Sequence, residues 1–170
     1  MLRPLCVATL ALGFLATAAS AANPCAGPGP VHKVAVKKAG WTNVVPANGA
    51  GRIFTATRDH IAGVEVDVVT GNPRKDESDT LTLTLSNLKG DVLAKADQTV
   101  TSGKDGWLCF ALPEGGIDVN PGETLLLSLQ DTGKVLFGWR YSNDNPTFDP
   151  EKGEFDFGFR VHDGSGVGNS

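Results

Sequence analysis

Polar and apolar residues alternate with period two along most of the chain. In 61–68, Val64, Val66 and Val68 turn one way while Glu65 and Asp67 turn the other. Leu81, Leu83 and Leu85 alternate with Thr82, Thr84 and Ser86, and Leu125, Leu127 and Leu129 share one face. Phe155, Phe157, Phe159 and Val161 alternate with Asp156, Gly158, Arg160 and His162. Further strands over 31–36, 52–57, 92–101, 107–112 and 135–141 bring the total to about nine. Gly, Pro, Asn and Asp cluster between them, as in Lys89-Gly90-Asp91, Asn120-Pro121-Gly122 and Asp131-Thr132-Gly133. No segment carries a convincing helical stripe. Alternation implies strands with one wet face, so the expected fold is all-β, an antiparallel two-sheet sandwich.

The N-terminus departs from this pattern. Arg3 precedes a short apolar run, 5–18, that ends in Ala19-Ser20-Ala21, the form of a secretory signal with its cleavage site. The run falls short of the roughly 20 residues of a spanning helix. Residues 1–21 are therefore expected to be a cleaved signal helix, and the protein to be secreted or periplasmic without a membrane anchor. Cleavage removes Arg3 and Cys6, taking the formal charge from -4 to -5 and leaving Cys25 and Cys109. In an oxidising compartment these two have a single intramolecular pairing, and a Cys25–Cys109 disulfide is expected. Leu108, Phe110 and Leu112 make the core face of their strand, which turns Cys109 outward. The N-terminal segment is then expected to lie over that outer face, clamped by the bond. Acidic charge and the lack of a basic block weigh against nucleic acid as a partner.

Several stretches resemble bacterial extracellular jelly-roll modules of the galactose-binding-like class. They are Phe54-Thr55-Ala56-Thr57, Gly63-Val64-Glu65-Val66, Asp79-Thr80-Leu81-Thr82-Leu83-Thr84-Leu85, Gly90-Asp91-Val92-Leu93-Ala94, Gly106-Trp107, Pro121-Gly122-Glu123-Thr124, Gly138-Trp139-Arg140-Tyr141-Ser142 and Asp156-Phe157-Gly158-Phe159-Arg160. The resemblance implies a nine-stranded jelly roll, non-catalytic, whose relatives bind sugars, frequently with a structural calcium ion. It covers roughly 52–161, and with the signal and the small, polar C-terminal residues the expected division is the signal at 1–21, an N-terminal extension with the first strands at 22–51, a jelly-roll core at 52–162 and a flexible tail at 163–170. Where a Tyr-Pro-Gly-Gly loop is expected, this chain has Asn145-Pro146-Thr147-Phe148-Asp149-Pro150.

A sugar site needs an apolar ring and a few fixed polar groups. Trp139, Arg140, Tyr141, Asn143, Asp144 and Phe148 offer that chemistry in and after one strand, although Trp139 shares a face with Val135 and Phe137 and so also suits the core. Trp41 and Trp107 are further candidates for the rim. No cofactor is expected, with a structural calcium ion as the alternative, for which Asp144, Asp149 and Asp156 offer hard oxygen ligands; an acidic surface is the simpler explanation for a chain of this charge. The stretch 74–79 mixes both charge signs and reads as a solvated hairpin loop. Glu65 and Asp67 share a strand face, as glycosidase carboxylates would, but an ordinary wet face explains them more simply. His32, His60 and His162 are scattered, and no nucleophile motif is present. The expected partner is a carbohydrate, with an envelope protein as the alternative.

Overall fold

The computed structural model describes residues 23–27, 29–34, 39–44, 50–70, 77–142 and 156–165. Residues 1–22, 143–155 and 166–170 lie outside the described residues, and with them the expected signal and the candidates Asn143, Asp144, Phe148 and Asp149. Among the described residues there are thirteen strands and no α-helix. They are β1 (His32–Val34), β2 (Ala39–Asn43), β3 (Ala50–Thr55), β4 (His60–Ile61), β5 (Gly63–Thr70), β6 (Ser78–Asn87) and β7 (Val92–Thr101), followed by β8 (Gly106–Ala111), β9 (Ile117–Asp118), β10 (Thr124–Gln130), β11 (Phe137–Ser142), β12 (Asp156–Phe157) and β13 (Phe159–His162). Each of the nine strands read from the sequence has a counterpart here. Gly158 divides the last into β12 and β13, and β2, β4 and β9 are additional.

Among the described residues every pairing is antiparallel. One sheet runs β3-β10-β6-β7, and β4 pairs β9 in a short ladder apart from it. The other sheet is organised around β5, with β8 on one edge and β13 followed by β11 on the other. β1 extends this sheet beyond β13, and β2 extends it beyond β11. The two N-terminal strands are thus laid into the sheet as edges rather than across its face. β5 and β11 pair at Val68, Val69 and Thr70 and then diverge around Gly158. The Gly158 N–H donates to the Arg140 carbonyl at 2.9 Å, and its carbonyl accepts from Asp67 N–H at 3.1 Å.

The inner faces follow the alternation. Leu81, Leu83, Leu85, Leu125, Leu127 and Leu129 are each fully buried, worth about 1.5–3 kcal/mol apiece. They belong to one core with Val64, Val66, Val68, Phe110, Phe137, Trp139 and Phe159 of the larger sheet. Phe54 and Phe159 meet across the two layers at 5.4 Å between ring centres. The arrangement is sandwich-like, as the alternation requires.

Two features pin the ends of strands. Asp79, at the edge of the stretch read as a solvated loop, is instead buried at 3% exposure in β6. The reason is a ring of donors around its carboxylate: the N–H groups of Thr80, Thr132, Lys134 and Val135, and the Thr132 hydroxyl. The second feature is the expected disulfide, Cys25–Cys109, with Cα atoms 6.1 Å apart. It holds a 3-10 turn, Pro24–Ala26, against the outer face of β5 and β8. Gly63 admits this turn because a Cβ there would lie 2.8 Å from Pro24 Cγ and 3.3 Å from Cys25 Sγ.

Candidate binding face

The strand Phe137–Ser142 separates the sequence candidates between two environments. Trp139 is fully buried, its indole N–H donates to the Gly158 carbonyl at 2.8 Å, and its ring stacks on Phe157 at 4.5 Å. It is therefore a core residue and not a ligand contact. Tyr141, two residues on and on the same side, is partly buried against the core with its ring edge-on to Phe157. Arg140 faces the other way, onto the outer surface of the larger sheet. Asn143, Asp144, Phe148 and Asp149 lie outside the described residues, and Asp156 is described only as a backbone position paired with Ser142.

The outer surface that receives Arg140 is built of two rows running across the strands. Register places Trp107 beside Asp67, Asp67 beside Gly158, Gly158 beside Arg140 and Arg140 beside Trp41. Two residues along each strand, Cys109, Glu65, Arg160 and Lys33 form the second row. Four strand spacings separate Trp107 from Trp41 in the first row, about 19 Å. Gly158 contributes no side chain to the middle of that row. Arg140 reaches from one side of it to Asp67, with Nε 3.5 Å from Oδ1, and continues to Asp105, whose Oδ1 accepts from its terminal nitrogen.

Arg160 takes a parallel course. One terminal nitrogen donates to Glu65 Oε2 at 3.2 Å, and the guanidinium carbon lies 3.8 Å from the centre of the Trp107 ring, a cation–π stack. His162 Nε2 is 3.0 Å from the same Glu65 oxygen, and the imidazole is buried. Burial pushes the Asp67 carboxyl above its ordinary range; Arg140 and Arg160 pull it down and Asp105 pushes it further up. At the far end of the row Trp41 is 41% exposed, with its ring lying over Gly138, where any side chain would collide with it. The disulfide-held turn bounds the face on the Gly63 side.

Trp41 and Trp107 are therefore the aromatic rings this face presents, whereas Trp139 is withdrawn. Glu65 and Asp67 are ion-pair partners, not a plain wet surface. Arg160 was not singled out by the sequence, although its outward phase in 155–162 is visible there. What the alternation lacks is the knowledge that 155–162 lies beside β5.

His60 makes a separate polar contact at one end of the sandwich. Its Nδ1 lies 2.8 Å from Asp118 Oδ1, and its Nε2 lies 3.2 Å from the Gly115 carbonyl oxygen. The Asp118 hydrogen bond, helped by that carbonyl, holds the imidazole pKa above its usual value against the opposing effect of burial. Both side chains are open to water. Among the described residues no three His, Cys, Asp or Glu side chains converge as metal ligands. Nor does any described helix have the length and apolarity to cross a membrane. No family model, curated protein or solved structure matches the chain.

Proposed function

We propose that this protein is a secreted or periplasmic jelly-roll module that binds carbohydrate and has no catalytic role. Strand order supports the topology. Eight strands in chain order, β1, β3, β5, β6, β7, β8, β10 and β13, fall into two sets of four, β1-β13-β5-β8 and β3-β10-β6-β7. Numbered one to eight, these are the orders 1-8-3-6 and 2-7-4-5, the interleaving of two Greek keys in a jelly roll. The resemblance to galactose-binding-like modules points the same way. The disulfide is compatible with an oxidising compartment.

The observation that carries the ligand class is the first row on the outer face. Indoles at both of its ends offer apolar surface to the C–H faces of sugar rings, and the guanidinium and carboxylate groups between them offer hydrogen bonds to hydroxyls. A glycan array probed with the signal-free protein, with and without calcium, tests the proposal. Binding of at least one glycan class is expected, and a blank array at high protein concentration would refute it. The calcium arm reports on the candidate ligands Asp144, Asp149 and Asp156.

A second reading, a protein-interaction module of the cell envelope, draws on the outer face of the smaller sheet. Ile53, Leu126, Ser86 and Val92 lie in register across its four strands. Ile53 is 55% exposed and Val92 53%, and Leu88 and Leu93 are exposed beside them. Exposed apolar side chains on one face, here interrupted by Ser86, offer a contact surface. Concentration-dependent mass in light scattering, lost in Ile53→Ser/Val92→Ser, would favour this second reading.

A further inference from the structure

Resting on the carbohydrate reading, we infer that the outer face of the larger sheet takes an uncharged, hydroxyl-rich glycan chain laid across the strands between Trp41 and Trp107, and discriminates against acidic glycans. The argument is one of charge and hydrogen-bond capacity. The two rows and the adjoining turn carry Arg140, Arg160, Lys33 and the exposed Lys104 against three carboxylates, Glu65, Asp67 and Asp105. Each of these carboxylates is already met by a guanidinium before any ligand arrives. An anionic sugar would have to settle beside all three carboxylates, at the cost of like-charge repulsion and of the ion pairs already formed.

A hydroxyl meets no such conflict. It donates and accepts at once, and each guanidinium, with five N–H donors, retains donors beyond those its carboxylates use. Each carboxylate likewise retains lone pairs. Asp67 and Arg140 set an acceptor beside a donor in the row, so vicinal hydroxyls find one of each. The Arg140 and Arg160 side chains are only 28% and 25% exposed, which means that they are already held down against the sheet. Binding therefore orders little that is not ordered beforehand. Trp107 is braced by Arg160 from one side, while Trp41 is the more open ring and the stronger anchor.

Affinity electrophoresis and calorimetry on the signal-free, disulfide-intact protein test this directly. The probes are a soluble β-glucan, a xylan and a galactomannan as neutral chains, and polygalacturonate and a sulfated galactan as acidic chains. Binding to at least one neutral chain is expected, changing less than about twofold between 50 and 500 mM NaCl, because no net charge is neutralised. Trp41→Ala is expected to weaken it at least about tenfold and Trp41→Tyr to restore most of it. Asp67→Asn/Asp105→Asn, which leaves the face cationic, is expected to gain binding to the acidic chains that disappears at high salt. Binding of acidic chains alone by the unaltered protein, with steep loss in salt, would overturn this inference and leave the carbohydrate reading standing. Neutral binding indifferent to Trp41→Ala in a protein of unchanged melting temperature would overturn the placement. Binding to none of the five, together with a blank glycan array, would remove both.

Discussion

Asp79 is the most heavily bonded side chain described, and its removal has a calculable effect. Its Oδ1 accepts from the N–H groups of Thr80 at 2.7 Å and Thr132 at 3.3 Å and from the Thr132 hydroxyl, while Oδ2 accepts from Lys134 at 2.8 Å and Val135 at 3.1 Å. Asp79→Ala strands these donors unequally. Val135 is buried, so its N–H is left unsatisfied at a cost of about 1–3 kcal/mol. Thr132 and Lys134 are exposed and regain water, forfeiting only about 0.5–1.5 kcal/mol per bond. Summed over Val135, the two Thr132 bonds and the Lys134 bond, the expected loss is about 2.5–7.5 kcal/mol.

Asp79→Asn keeps the shape and one acceptor oxygen but turns an NH2 group toward N–H donors, for an expected loss of about 2–4 kcal/mol. Urea unfolding followed by tryptophan fluorescence measures this as a lower midpoint at unchanged slope. A pH series adds a sign. Burial alone would raise the Asp79 pKa, but the Thr132 hydroxyl and the Val135, Thr80 and Lys134 N–H groups outweigh it and hold it below 3.8. The stability this carboxylate confers is therefore present above pH 3.8 and lost as pH falls through the folded value. The Asn variant should lack that acid-side loss. A midpoint at pH 7 within error of the unaltered protein, or an equally steep acid limb, would refute the reasoning.

Three further outcomes follow from the described contacts. The Cys25–Cys109 bond spans 84 positions and stabilises by about 4.6 kcal/mol in the chain-entropy relation, so Cys25→Ser/Cys109→Ser should melt far below the oxidised protein and be insensitive to reductant. Gly63→Ala presses a methyl group on Pro24 and should cost about 1–3 kcal/mol in the oxidised protein and much less once the bond is reduced, as thermal melts with and without dithiothreitol would show. His32, stacked on Phe159 at 5.3 Å, has its pKa lowered first by burial and then by the Arg52 charge. It favours the neutral form, so this contribution is present above pH 6.5 and lost as pH falls through the lowered folded value; His32→Gln should flatten the stability profile there.

The alternation of Val64, Val66 and Val68 with Glu65 and Asp67, and of the leucines in β6 and β10, was enough to reveal the all-β class and the buried faces of these strands. A period of two is local information, because successive side chains leave a strand on opposite sides. Short strands such as His60–Ile61 and Ile117–Asp118 carry too few positions to show a period. Ala39–Asn43 is hidden differently: Gly40 and Gly138 trade side chains for the rings of Tyr141 and Trp41, which erases the alternation. Asp79 looked solvated because its donors lie more than fifty residues away, at Thr132, Lys134 and Val135.

The sequence by itself determined the all-β class, the inward and outward phase of each long strand, and the partner of Cys25, since only one other cysteine lies beyond the signal-like segment. Which strands are neighbours is a different kind of quantity. The hydrogen bonds that align a ladder join backbone groups, which carry little information about residue type, so β5 beside β13 and β11 beside β2 were decided by tertiary structure alone. That neighbourhood turned outward residues from four separate strands, Trp41, Asp67, Trp107 and Arg140, into one row, and it closed Trp139 into the core beneath them.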